Sequence, residues 1–282
     1  MSYEQYYGLF EQPFSNTPDP RFYFETAQQS DVIKRLMYAI DSMKGLAVVI
    51  GDLGTGKTTV ARRLYEGLDN SAYEAALLVV IHSSVTPEWL LRKIGLQLGL
   101  ESTSEEKVVL LGEILRRLEQ IHADGKKAVV IIDEANMLQD KAIMEELRGL
   151  LNLEVPGSKL ITFVLLGLPE LENYLSLDQP LAQRIALKCR LTSLKLETTK
   201  AYIHHRMRIA GCKRQVFSDS VIELVHHYSR GIPRLINTIC DNALLEAFLL
   251  KKEAIEPDLI REVVADLGLM TPPKGESKGV SP

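Results

Sequence analysis

The chain has 282 residues, enough for one large or two modest domains with real cores. Apolar residues make up 46% and charged residues 25%, the balance of a globular protein and not of a disordered one. With 33 basic against 37 acidic side chains the formal net charge is -4, which argues against a strongly basic nucleic-acid binder and leaves only local patches to consider.

The opening "MSYEQYYGLF" has neither a basic n-region nor an apolar h-region, so it is not read as a signal peptide. Residues 46–51 predict a first strand, and the glycine-rich loop after it opens a helix over 58–68. A second strand is expected over 76–82. Thr86 and Pro87 then cap and open a helix to residue 98. Ser104 followed by Lys107 starts a helix to 122, and strand 128–132 leads to a helix over 140–152. Strand 160–166, a short helix over 180–185 and strand 188–194 complete the pattern. Five short apolar runs separated by helices predict an α/β fold, a five-stranded parallel sheet covered on both faces. The longest of these runs, 75–81 and 128–132, are too short to cross a bilayer.

Beyond residue 194 the strand signal stops. Four helices are expected at 197–210, 218–228, 232–251 and 256–267, with Ser218 as a cap and Pro233 in a first turn. The domains are therefore drawn as 1–195, 196–268 and a tail at 269–282, whose "TPPKGESKGVSP" reads as disordered. Cys189, Cys212 and Cys240 are odd in number and show no metal spacing, which reads as reduced thiols in a cytoplasmic protein.

Two stretches carry chemistry. "GDLGTGKT", Gly51 to Thr58, fits G-x-x-x-x-G-K-[ST] and lies between a strand and a helix. Gly51, Asp52, Leu53, Gly54, Thr55, Gly56, Lys57, Thr58 and Thr59 are read as the loop that cradles the phosphates of ATP. Backbone amides supply the cradle, Lys57 a positive charge, and Thr58 a hydroxyl for Mg2+. "AVVIIDEAN", 128–136, ends an apolar strand in paired carboxylates at the edge where open α/β sheets bind ligands. Asp133 is assigned to Mg2+, and Glu134 to orienting and deprotonating the attacking water. Two arginines follow. Arg184 stands just before the fifth strand, where it could be presented to a neighbouring subunit's phosphate; Arg234, at the start of a long helix, could reach back over a cleft to the nucleotide. From residue type alone each is better read as a surface ion pair.

With "LAQRI" before the fifth strand and "GIPR" in the helical part, these motifs resemble an AAA+ ATPase. More narrowly, the chain is similar to the ExeA/GspA group of bacterial general secretion ATPases over residues 3–267. The likeness is carried by "YYGLFEQPFSNTPDPRFYF", "DEANMLQDKAIMEELRGLLNLE" and "LLGLPELENYL". That resemblance implies a P-loop α/β domain with a C-terminal helical lid. It places Arg184 at the arginine finger supplied in trans and Arg234 at the arginine called sensor 2. It sets Pro18, Phe22 and Phe24 near the adenine, where plain core packing is an equal reading. Relatives often carry a polar residue, in "LxGQPEL", where this chain has Leu168; a leucine side chain makes no hydrogen bond, so either another residue, Thr162 being one candidate, takes the sensor 1 role or turnover is slow.

His82 and Ser83 could face Glu134, though a satisfied strand-end histidine is preferred. The pairs His204/His205 and His226/His227 point about 100° apart on a helix, so neither pair chelates. Arg206, Arg208, Lys213 and Arg214 read as a solvated basic face.

An arginine finger in trans works only if subunits stack head to tail, so a ring or filament of identical subunits is expected. The resemblance implies that hydrolysis drives or regulates assembly of a secretion or envelope export system, with a protein partner there, in the cytoplasm or peripheral to the inner membrane. The rival readings are a DNA-transposition helper forming ATP-dependent filaments, with DNA the less favoured partner, and a non-catalytic nucleotide switch.

Overall fold

The computed structural model describes residues 2–17, 19–101 and 103–270. The expectations for Pro18 and for the tail at 271–282 lie outside the described residues. Contacts divide the chain into two units, Ala27–Thr192 and the pair of segments Met1–Thr26 and Ser193–Pro282.

The chain enters through a short helix, α1 (Tyr3–Tyr7), that belongs to the second unit. The α/β unit then runs α2 (Ala27–Asp41), β1 (Leu46–Gly51), α3 (Lys57–Glu66), β2 (Tyr73–Val79), α4 (Pro87–Gln97), α5 (Lys107–Ala123) and β3 (Lys127–Asp133). It continues through α6 (Lys141–Leu151), a small hairpin β4 (Glu154–Val155) and β5 (Ser158–Lys159), β6 (Ile161–Gly167), α7 (Leu171–Leu175), α8 (Gln179–Ala182) and β7 (Ile185–Leu191). Five strands form one sheet in the order β2-β3-β6-β1-β7, and every pairing is parallel.

Why these strands sit centrally follows from their side chains. β1 and β6 are buried at every position, as continuous apolar runs must be when both faces are covered. Alternate residues feed two cores. Val48 and Ile50 pack with Leu90, Ile94, Ile114 and Leu147 from α4, α5 and α6. Ala47 and Val49 pack with Leu36, Ile40, Val60 and Leu64 from α2 and α3.

Two strands begin three residues earlier than expected. β2 is set by pairing Tyr73 with Lys127, and β7 by pairing Ile185 with Leu46. Both lie at sheet edges, where one apolar face suffices, so the apolar run does not mark the ends. On β7 the outward Lys188 and Arg190 both reach Glu172, at 3.2 Å each, and charge that edge.

The helical unit contains α9 (Leu196–Ile209), α10 (Asp219–Ser229), α11 (Pro233–Leu249) and α12 (Pro257–Asp266). It also contains the N-terminal 26 residues, which the sequence reading had assigned to the α/β domain. The Tyr3 hydroxyl donates to Asp241 at 2.7 Å and that of Tyr7 to the Lys252 carbonyl at 2.9 Å. Phe14 meets Phe217 edge-on, and Phe14 and Phe22 are buried in this core. Arg206, expected on a solvated face, is only 6% exposed. It donates to the carbonyls of Pro13 (2.5 Å) and Ser15 (2.9 Å) and stands 5.2 Å over the Phe22 ring. Its fork satisfies loop carbonyls that no strand or helix could pair, so the arginine ties the N-terminal segment down. Arg214 likewise donates to the Tyr6 carbonyl at 2.9 Å.

Candidate nucleotide site

The glycine loop begins where β1 ends. A Cβ on Gly51 would stand 2.7 Å from the Thr55 hydroxyl and 3.1 Å from Leu191. Gly54 and Gly56 take φ values of 80° and 100°, a region that side chains rarely enter. They turn the loop so that α3 starts at Lys57 with Gly56 as its cap residue. The start of α3 points its dipole at the loop, which favours an anion there.

Lys57 is buried, and its ammonium donates to the carbonyls of Gly51 at 2.8 Å and Asp52 at 3.1 Å. Those bonds hold the charge inside the loop. The Thr55 hydroxyl closes the turn by donating to the Asp52 carbonyl at 2.8 Å. Thr58 and Thr59 are half-buried in the first turn of α3, while Asp52 and Leu53 are exposed at the loop's crown.

The carboxylates leave the sheet at the same edge. Ile50 pairs with Gly167 on β6, and Leu165 on β6 pairs with Ile132 on β3. Gly51 and the Asp133–Glu134 pair are thus level, two strands or roughly 10 Å apart. Asp133 is 1% exposed. Its Oδ1 accepts the Glu134 amide at 3.0 Å, whereas its buried Oδ2 has no hydrogen-bond partner. A buried carboxylate oxygen without a donor is costly unless a cation or water meets it. Asp133 with the Thr58 hydroxyl therefore fits Mg2+, which takes one or two protein oxygens and completes its shell with phosphate and water.

Glu134 has φ 54° and ψ 36°, left-handed for a residue with a side chain. This kink swings the chain out of β3 into a one-turn helix, Ala135–Met137. Asn136, which sequence reasoning passed over, holds that turn in place. It is 5% exposed, and its Oδ1 accepts the Leu168 amide at 3.0 Å. A Cβ on Gly167 would come within 3.1 Å of both the Asn136 amide nitrogen and Oδ1. The only signal in the sequence was a polar residue two positions after the carboxylate pair.

Other candidates fall elsewhere. Thr162 is the second residue of β6, paired with Val129, and is fully buried beside Met43. It lies at the opposite end of the strand from Leu168, some 20 Å along, so it cannot take over a phosphate contact. His82 is exposed past the end of β2 and bonds with Ser84 at 3.2 Å. Phe24 packs against Tyr202 and His205 within the helical unit. Arg184 is half-buried just before β7, whose first residue pairs with Leu46, the first of β1. It therefore sits at the edge of the sheet opposite its own glycine loop. Arg234 is exposed in the first turn of α11, in the other unit. Burial pushes the Cys189 and Cys240 thiols up, which keeps them protonated and inert.

A family profile described as an AAA domain matches residues 40–175. General secretion pathway protein A of Aeromonas hydrophila is 36% identical over 249 residues, covering 87% of this chain and 45% of that protein. The chain thus spans less than half the length of that relative. ORC1-type DNA replication protein 1 of Halobacterium salinarum is 27% identical over 227 residues, covering 78% of this chain and 69% of the relative. Among solved structures, the Aeropyrum pernix ORC2 protein in ADPNP–ADP complexes matches with a TM-score of 0.66 at 18% identity, over 91% of this chain and 71% of that one. The Thermotoga maritima RuvB Holliday junction branch migration motor matches at 0.53 and 19%, over 85% of this chain and 69% of that one. At such identities the structural likeness speaks for the fold.

Proposed function

Since the chain belongs to the AAA+ ATPases of the ExeA/GspA type, we propose that it hydrolyses ATP with Mg2+ at the loop Gly51–Thr59, completed by residues from a neighbouring copy. The observation that carries the reading is the buried, unpartnered Oδ2 of Asp133, level with the start of α3. In this reading the loop amides and Lys57 bind the phosphates. Thr58 and Asp133 hold Mg2+, which would offset phosphate charge. Glu134 orients the attacking water and takes its proton. Arg234 is assigned to nucleotide binding. Arg184 is lent to the next subunit, because it lies at the sheet edge away from its own loop. Such a contact is heterologous and builds a head-to-tail ring or filament.

The work is assigned to assembly of a secretion or envelope export system, with a protein partner at the cytoplasmic side of the inner membrane. The likeness to general secretion pathway protein A supports this. Likeness to an ORC1-type DNA replication protein favours a second reading, an ATP-dependent filament on DNA. A net charge of -4 weighs against it.

The test is phosphate release, with and without duplex DNA, for the wild type and Glu134→Gln. Release should fall by about a hundredfold or more in the variant, while binding of a fluorescent ATP analogue persists. Equal release from both proteins overturns the assignment. Binding of duplex DNA only with ATP, weakening steeply with salt, would move the work to DNA.

A further inference from the structure

The segment that carries Arg184 is anchored from an unexpected place. Asp178 caps α8: its Oδ1 accepts the Leu181 amide at 3.0 Å. Its Oδ2 accepts Nε of Arg148 at 2.9 Å. The carboxylate side chain is 4% exposed, against 34% for the arginine. Arg148 lies on α6, the helix that follows directly from the Glu134 turn. α8 is only four residues long, and the Arg184 amide closes its end by donating to the Leu181 carbonyl at 2.9 Å. So short a helix is not stable by itself. Leu181 packs α8 into the core, and Asp178, which bonds both to the helix and to Arg148, fixes its end.

We infer that Asp178, held by Arg148, is the positioning residue that presents Arg184 to the neighbouring copy. The inference rests on the trans role of Arg184 proposed above. The side of a subunit that lends its arginine is thereby bolted to the helix that leaves that subunit's own catalytic turn. An arginine finger acts by placing its charge where the transition state needs it, and a displacement of about 1 Å can cost on the order of a hundredfold. An ion pair whose carboxylate is buried and makes a second hydrogen bond supplies that rigidity.

Mixed assemblies of the chain separate donor from recipient. Arg184→Ala subunits keep a complete cradle but lend no arginine. Glu134→Gln subunits lend the arginine but do not hydrolyse. Mixing the two should restore ATP hydrolysis that neither shows alone. The Glu134→Gln/Asp178→Asn donor should restore at least roughly tenfold less. Asp178→Asn subunits supplied with Glu134→Gln donors should hydrolyse as wild type, because their own cradle is intact. Asparagine keeps the cap on α8, and Arg148→Met in the donor is the second variant that removes the ion pair alone. If either altered donor restores activity fully, or if Asp178→Asn fails as a recipient, the inference is overturned. If Arg184→Ala alone hydrolyses as wild type in assemblies, the trans reading itself falls first, and that outcome is distinguishable.

Discussion

Glu134, proposed above to orient the attacking water, has a geometry held by neighbours rather than by its own backbone preference. A left-handed conformation with a side chain costs of order 1–3 kcal/mol, so something must hold it. Asn136 does so by accepting the Leu168 amide across to β6. The same bond gives Leu168 a structural part, since its amide is used even though its side chain offers nothing polar. Asn136→Ala should lower kcat by about tenfold or more while the KM for ATP stays within about twofold, because the phosphate loop is untouched. Gly167→Ala, which would drive a Cβ into Asn136, should show the same split. A steady-state titration of both variants checks this; a rise in KM with unchanged kcat would assign Asn136 to binding instead. At this scale the glycine loop and the carboxylate pair were legible because their spacing follows from phosphate and metal chemistry. Asn136 and Arg206 were not, because their partners are main-chain groups far away in sequence.

Among the elements, the central strands were legible and the edges were not. β1, β3 and β6 are buried through nearly their whole length, so apolar runs mark them. α2 is absent from the elements expected from the sequence, although Val32, Leu36, Ala39 and Ile40 give it a helical stripe. In the helical unit, α9 and α10 are joined by a hydrogen bond between the Thr199 hydroxyl and Nδ1 of His226 at 2.9 Å. Burial, and then the neighbouring His227, hold the His226 pKa below the usual 6.5. The unfolded chain therefore takes up a proton at a higher pH than the folded one. Stability from this group is full above about pH 6.5 and is lost as pH falls toward the lowered folded value. Thermal melts should thus drop more between pH 7.5 and pH 5 for the wild type than for His226→Gln. Parallel drops for the two proteins would show that His226 does not couple α9 to α10 in this way.

For the molecule as a whole, the parallel sheet has two ends with different duties. The C-terminal edge carries the glycine loop, Asp133 and Glu134; the N-terminal edge carries Arg184. β7 has seven residues, so Arg184 and the loop after Gly51 are separated by roughly 20 Å along the strands. An arginine side chain spans only about a third of that distance. One subunit therefore cannot bring its own Arg184 to its own phosphates, and a second copy can do so only by presenting its N-terminal edge to the first copy's C-terminal edge. Repetition of that contact is head to tail by construction. With Arg184 in the trans role proposed above, association should depend on nucleotide, because the γ-phosphate would be part of the joint. Mass measurements at fixed protein concentration should show larger species with Glu134→Gln and ATP than with ADP. Arg184→Ala should remove the difference while leaving ATP analogue binding unchanged. Assemblies of equal size with ATP, with ADP and with Arg184→Ala would mean that the joint forms elsewhere and that the arginine serves only the fold of its own subunit.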